Sequence, residues 1–158
     1  MKNNIKLFGC DVDGTLTDAG MYYTENGDEL KKFNTRDGMG IKLLRESGII
    51  TLIITSENTK IVENRAKKLK VDYLYQGVQN KLELIKELLS KLNIDRSEFA
   101  YIGDDINDKE ILEFAGLKAC PNDAMDIIKK IDNILIMSKK GGEGAVREFI
   151  DNYIIQEI

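Results

Sequence analysis

Two carboxylates at a spacing of two, Asp11 and Asp13, follow the apolar run from Ile5 to Cys10 and precede Gly14. The run reads as a short buried strand. In an extended backbone alternate side chains share a face, so Asp11 and Asp13 start on the same side. Gly14 lets the chain leave the strand end where a side chain would crowd a ligand. Carboxylates there are well placed for a site, because open α/β sheets bind ligands at the carboxyl ends of their strands. An aspartate-rich turn is the plainer alternative. Histidine is absent from the sequence, which removes Ser-His and Cys-His nucleophiles and histidine-based metal sites. Carboxylates, lysines and hydroxyls are left to carry any chemistry.

Three further pieces follow in order. Thr55 closes the apolar run Leu52-Ile53-Ile54, Lys81 opens a helical pattern, and Asp104, Asp105 and Asp108 lie in the stretch Tyr101 to Asp108. Taken singly, each has a bland reading: a strand-end hydroxyl, an exposed lysine, a set of helix caps. As an ordered set they resemble the four motifs of the haloacid dehalogenase superfamily of phosphohydrolases. The resemblance implies Asp11 as the nucleophile that forms an aspartyl-phosphate, and Asp13 as the acid and then the base. Carboxylate crowding would help Asp13 hold its proton. Asp11, Asp104 and the backbone carbonyl of Asp13 would bind Mg²⁺, a hard cation suited to oxygen ligands. Asp105 and Asp108 would support the metal or Lys81 from nearby. Thr55 and Lys81 would meet the phosphoryl oxygens.

The elements that must position these residues alternate. Strands are expected at Ile5–Cys10, Ile49–Ile54, Val71–Leu74, Phe99–Ile102, Gly116–Cys120 and Ile134–Met137. Between them fall apolar positions at helical spacing, among them Ile41, Leu43 and Leu44, then Lys60–Leu69, Leu82 to Leu92, Ile111 to Ala115, Met125–Ile131 and Val146–Ile155. This predicts an α/β fold, a Rossmann-like parallel sheet with helices on both faces. The resemblance implies strand order 3-2-1-4-5 with a sixth strand beyond. Asn26-Gly27 between two extended runs predicts a β-hairpin after strand 1, with Tyr23 opposite Leu30 and Met21 on the same face. The gaps between motifs hold no cap domain, and 1–158 reads as a single domain.

Composition bounds the rest. With 42% hydrophobic and 32% charged residues the sequence is ordinary for a globular protein, and a net charge of −4 argues against nucleic acid. There is no apolar run of membrane-spanning length and no signal-peptide core at Met1-Lys2-Asn3-Asn4, so the expected location is cytoplasmic. Cys10 and Cys120 are expected as buried free thiols.

Within the superfamily, Phe33 to Gly38, Tyr75 to Lys81 and Gly141 to Glu148 resemble the small capless phosphatases of phosphorylated keto-deoxy sugar acids. Octulosonate 8-phosphate enzymes of that branch usually show Thr-Gly-Arg where this chain has Thr55-Ser56-Glu57. Glu57, with Arg65 and Lys68, resembles the enzymes acting on nine-carbon sialic-type 9-phosphates, and that substrate is the main expectation. The octulosonate ester is the alternative, and an assembly module of a sugar-nucleotide synthetase is a reading of another class. The resemblance implies a homotetramer built around the hairpins, with Arg36 and Arg147 as candidate anion contacts within a chain or across subunits.

Overall fold

The computed structural model describes residues 4–27 and 29–155. Asp28, expected to begin the second hairpin strand, and Met1 to Asn3 lie outside the described residues.

Six strands form one parallel sheet: β1 (Leu7–Cys10), β4 (Ile50–Ile54), β5 (Tyr73–Tyr75), β6 (Phe99–Ile102), β7 (Leu117–Cys120) and β8 (Leu135–Ile136). Their order is β5-β4-β1-β6-β7-β8, the expected 3-2-1-4-5 arrangement with a sixth strand beyond β7. β1 is central, pairing Leu7 with Ile50 on one side and with Phe99 on the other. The chain reverses direction of growth there, which opens a crevice at the carboxyl ends of β1, β4 and β6.

Alternation along the strands sends side chains into two cores. Phe8, Cys10, Ile53 and Ile102 pack with α1 (Thr35–Glu46), α2 (Lys60–Leu69) and α6 (Ala145–Phe149) on one face. Leu7, Leu52, Ile54 and Tyr101 pack with α3 (Lys81–Leu92), α4 (Lys109–Phe114) and α5 (Asp126–Lys129) on the other. Each fully buried leucine or isoleucine contributes roughly 1.5–3 kcal/mol. Cys10 and Cys120 are buried and unbridged, as expected. Among the described residues no helix is long and apolar enough to cross a membrane.

Helix starts match short polar residues. The Asn34 side chain accepts from Arg36 N, Thr59 from Val62 N and Asn80 from Glu83 N. The last helix is shorter than its apolar pattern: α6 ends at Phe149 and the chain continues as a π-helical turn, Ile150–Ile154.

The hairpin forms with a different register. β2 (Tyr22–Tyr23) and β3 (Glu29–Leu30) pair Tyr22 with Leu30 and Tyr23 with Glu29. Thr24 is the reason: its carbonyl accepts from Gly27 N at 2.9 Å and its hydroxyl from Asn26 N at 3.2 Å. The turn therefore starts one residue early. Gly27 takes a positive φ, 81°, and Asn26 does not, so the two-residue Asn-Gly turn is not made. Met21, Tyr22, Tyr23 and Leu30 are exposed.

Candidate active site

Asp11 lies just past β1, where its amide still donates to Ile102 O at 3.1 Å. Beyond it the chain curls on the Val12 carbonyl, which accepts from the Thr15, Leu16 and Thr17 amides. Gly14 has φ 85°, and a Cβ there would collide with the Asp104 carboxylate. Glycine is thus required for the first and last motifs to meet. Behind the loop lies the Gly-rich turn: Gly142 N donates to Thr15 O at 3.1 Å, and a Cβ on Gly141 would strike the Gly14 carbonyl.

Lys81, the first residue of α3, is buried. Its Nζ donates to Asp11 Oδ1 and to Asp108 Oδ1, each at 2.7 Å. Asp108 is saturated, because Tyr101 OH also donates to Oδ1 at 2.7 Å and Asp104 N to Oδ2 at 3.0 Å. Room for the Tyr101 ring comes from Gly9, whose Cβ would stand 3.0 Å from it. Asp105 caps the short turn Ile106–Asp108 by accepting from Ile106 N at 2.6 Å. The capping role and a supporting role therefore coexist in this loop.

Burial, then the neighbouring Asp108, hold Asp11 well above the usual carboxylate range despite Lys81. Burial and Asp108 likewise raise Asp104 to about 7, against the hydroxyl of Thr15 donating at 3.1 Å. Burial alone would lower Lys81, but its two carboxylates raise it, so the ammonium is retained. Carboxylate crowding falls on Asp11 and Asp104. Asp13 meets a cation: Lys31 Nζ lies 2.6 Å from its Oδ1.

Asp11, Asp104 and Asp108 bring carboxylate oxygens within 4.8 Å of one another. Such a set repels itself unless a cation or protons intervene, and its all-oxygen chemistry fits a hard divalent ion. Asp11 and Asp104 are the better ligands, since Asp108 already serves Lys81, Tyr101 and the loop amide.

Asp11, Asp13, Thr55, Ser56, Glu57, Asp105, Ile106 and Asn107 line a cleft of about 250 Å³. Thr55 is buried at the end of β4, its amide bound to Tyr75 O. Ser56 is not idle, since its hydroxyl accepts from Asn107 Nδ2 at 3.2 Å and ties two cleft loops together. Glu57 Oε2 accepts from Lys31 Nζ at 2.8 Å.

Four arginine and lysine candidates fall elsewhere. Arg65 and Lys68 line a separate groove of about 530 Å³ between α1 and α2. There Arg65 donates to Asn34 O and stacks over Phe33. Arg36 is exposed at the start of α1, and the Arg147 guanidinium is bound to Asp151 at 2.7 Å. Neither lines the cleft. Lys31, Tyr101 and the Gly141-Gly142 brace were not anticipated. Lys31 sits in a lysine-rich hairpin strand that reads as a solvated edge, and Tyr101 reads as a core aromatic; neither carries a local signal.

The comparisons agree with this geometry. Residues 74–150 match a family model described as haloacid dehalogenase-like hydrolase. Over 155 residues the chain is 42% identical to the 3-deoxy-D-manno-octulosonate 8-phosphate phosphatase of Escherichia coli K12, covering 98% of this chain and 81% of that protein. This chain belongs to the haloacid dehalogenase-like hydrolases. The Yersinia pestis phosphatase of the same name is 40% identical over 154 residues, covering 98% of this chain and 82% of its own. Among solved structures, the Moraxella catarrhalis 3-deoxy-D-manno-octulosonate 8-phosphate phosphatase, in complex with magnesium, phosphate and a KDO molecule, superposes with a TM-score of 0.89. It is 39% identical and covers 94% of this chain and 84% of that one. A Streptomyces avermitilis protein described as a putative hydrolase of the family reaches 0.90 at 30% identity, covering 98% and 87%. The chain is a phosphatase with the family's fold, and the described residues hold no cap.

Proposed function

We propose that this chain is a Mg²⁺-dependent phosphomonoesterase acting on a phosphorylated keto-deoxy sugar acid, in a single domain. Its favoured substrate is 3-deoxy-D-manno-octulosonate 8-phosphate. The observation that carries the reading is the Escherichia coli phosphatase, 42% identical over 98% of this chain. That similarity displaces the nine-carbon ester from first place.

Phosphoryl transfer asks chiefly for positioning and charge. Lys81 engages Asp11 Oδ1, which leaves Oδ2 to attack phosphorus while the P–O bond to the sugar breaks. The departing oxygen takes the Asp13 proton. Asp13 then removes a proton from water, which splits the aspartyl-phosphate and frees inorganic phosphate. Thr55 donates to a phosphoryl oxygen and Lys81 balances its charge. Mg²⁺, held by Asp11, Asp104 and the Asp13 carbonyl, would supply further neutralising charge. Asp108 and Asp105 hold Lys81 and the metal loop in place.

A second reading, the nine-carbon 9-phosphate, rests on one observation: Glu57 lines the cleft where the octulosonate enzymes usually carry arginine. A homotetramer is part of the proposal. Its support is the exposed apolar hairpin, with Tyr23 65% and Leu30 63% accessible. Arg36, Arg65, Lys68 and Arg147 would then meet substrate only from a neighbouring subunit. The intact set of Asp11, Asp13, Thr55, Lys81 and Asp104 speaks against a purely assembly role.

Phosphate release from both esters, with Mg²⁺ present, tests the reading. The octulosonate ester should show the higher kcat/KM by at least about tenfold, the size of a missing or added pocket contact. A reversed ratio selects the nine-carbon reading. Turnover of p-nitrophenyl phosphate with neither sugar ester would overturn the substrate class.

A further inference from the structure

Lys31 follows β3 directly, and its side chain is sequestered from solvent although it belongs to a small surface hairpin. The ammonium lies 2.6 Å from Asp13 Oδ1, 2.8 Å from Glu57 Oε2 and 3.6 Å from Met21 Sδ. These carboxylates come from different parts of the fold, the loop after β1 and the loop after β4. The base of the hairpin is tied to the loop after β1 as well, by a bridge between Thr17 and Phe33 and by Lys32 3.6 Å from Asp18. The base of the hairpin is thereby fastened to loops that border the cleft.

Lysine and carboxylate pairs on open surface contribute little, because water competes for both partners. A shielded ammonium that reaches two cleft carboxylates differs, since it fixes their orientation at the edge where substrate enters. Asp13 lies past the end of β1, so the sheet ladder does not orient its carboxyl. Lys31 supplies a contact that does.

We propose that Lys31 is a positioning residue for this reaction, holding the Asp13 carboxyl on the leaving-group side of the cleft and bracing Glu57 beside it. The inference rests on the phosphatase reading above in one respect, the transfer of the Asp13 proton to the departing oxygen. The step itself is unchanged: the P–O bond breaks, its electron pair goes to the sugar oxygen, and that oxygen takes the Asp13 proton. Lys31 sets where the proton is delivered.

The leaving group makes this testable. An alkyl phosphate releases a strongly basic alkoxide that must be protonated, whereas p-nitrophenyl phosphate releases a weakly basic phenolate that needs little help. Both esters are assayed on the full chain with Mg²⁺, as wild type, Lys31→Met and Lys31→Arg. Misplacing a general acid forfeits part of its roughly 10²–10⁴-fold effect. Lys31→Met should therefore lower kcat on the alkyl ester at least about tenfold more than on the aryl ester, by analogy with small misplacements elsewhere. Lys31→Arg should recover most of that difference by keeping the charge. Equal losses on the two esters, or no loss on either, would overturn the inference and leave Lys31 a tether of the hairpin. If Lys31→Met does not fold, Lys31→Gln is compared with Lys31→Arg in the same ratio. Should wild type ignore sugar-acid phosphates but cleave both simple esters, the substrate reading falls, and the alkyl-to-aryl ratio still decides the role of Lys31.

Discussion

Replacing Lys81 with Met removes the ammonium that the Asp11 and Asp108 carboxylates share at 2.7 Å, and it roughly preserves side-chain volume. All three side chains are nearly inaccessible, at 1% for Lys81, 5% for Asp11 and 0% for Asp108. Breaking a buried pair by deleting one partner destabilises by about 3–5 kcal/mol, because the other charge stays desolvated. For a domain of this size each kcal/mol moves Tm by about 2–4 °C, so a fall of roughly 10–15 °C is expected. The pKa of Lys81 is raised on folding, so its contribution is fully present below the ordinary lysine range and lost only as pH rises above it. Thermal unfolding at pH 7.5 without divalent metal is therefore the proper condition. Repeating it with Mg²⁺ should recover part of the loss, since a cation at Asp11 and Asp104 offsets the same repulsion. Turnover should drop by about 10²–10³-fold even where the protein remains folded. A Tm within about 2 °C of wild type would refute the reasoning, because it would mean that Asp11 and Asp108 do not depend on the ammonium.

Asp11→Asn should abolish turnover while the fold survives, and EDTA should silence wild type until Mg²⁺ returns; residual Asn activity within about tenfold of wild type would exclude Asp11 as nucleophile. Asp37, buried in the first turn of α1, accepts from Arg147 N at 2.8 Å while its Oδ2 has no partner. Burial raises it from 3.8 to about 6. The folded state holds that proton more tightly, so the contribution is present below the usual carboxylate range and lost as pH climbs to about 6. Asp37→Asn should thus gain stability relative to wild type between pH 4 and 7, by up to about 3 kcal/mol; an unchanged difference across that range counts against it. Gly141→Ala, whose Cβ meets the Gly14 carbonyl, should cost about 1–3 kcal/mol and lower kcat, and an unaltered Tm would show that the turn does not brace the nucleophile loop.

Read from particular residues, the sequence was most informative where the signal is local. Ile5 to Cys10 followed by Asp11 and Asp13, the β-branched run into Thr55, and the aspartates after Ile102 each carry strand-end chemistry in a few consecutive positions. Period together with run length and β-branched content separates buried strands from amphipathic helices, and their alternation restricts the sheet to right-handed crossovers. Strand order and the convergence of Asp11, Thr55 and Asp104 were legible through the family resemblance that those motifs carry. The substrate expectation was less secure, because Glu57 is one residue whose partner lies far away in the chain.

Tertiary structure decided what depends on distant neighbours. Asp13 meets an ammonium because the hairpin brings Lys31 back to it from further along the chain. Arg65 and Lys68 share the helix that follows Glu57, yet α2 directs them to the groove beside α1 rather than to the cleft. Asp37 reads as an ordinary first-turn acid until α6 packs over it and leaves one oxygen dry. Local sequence specifies backbone conformation and which face of an element is apolar. The charge environment of a side chain is summed over segments that only packing brings within a few ångströms, so it is written in the fold as a whole.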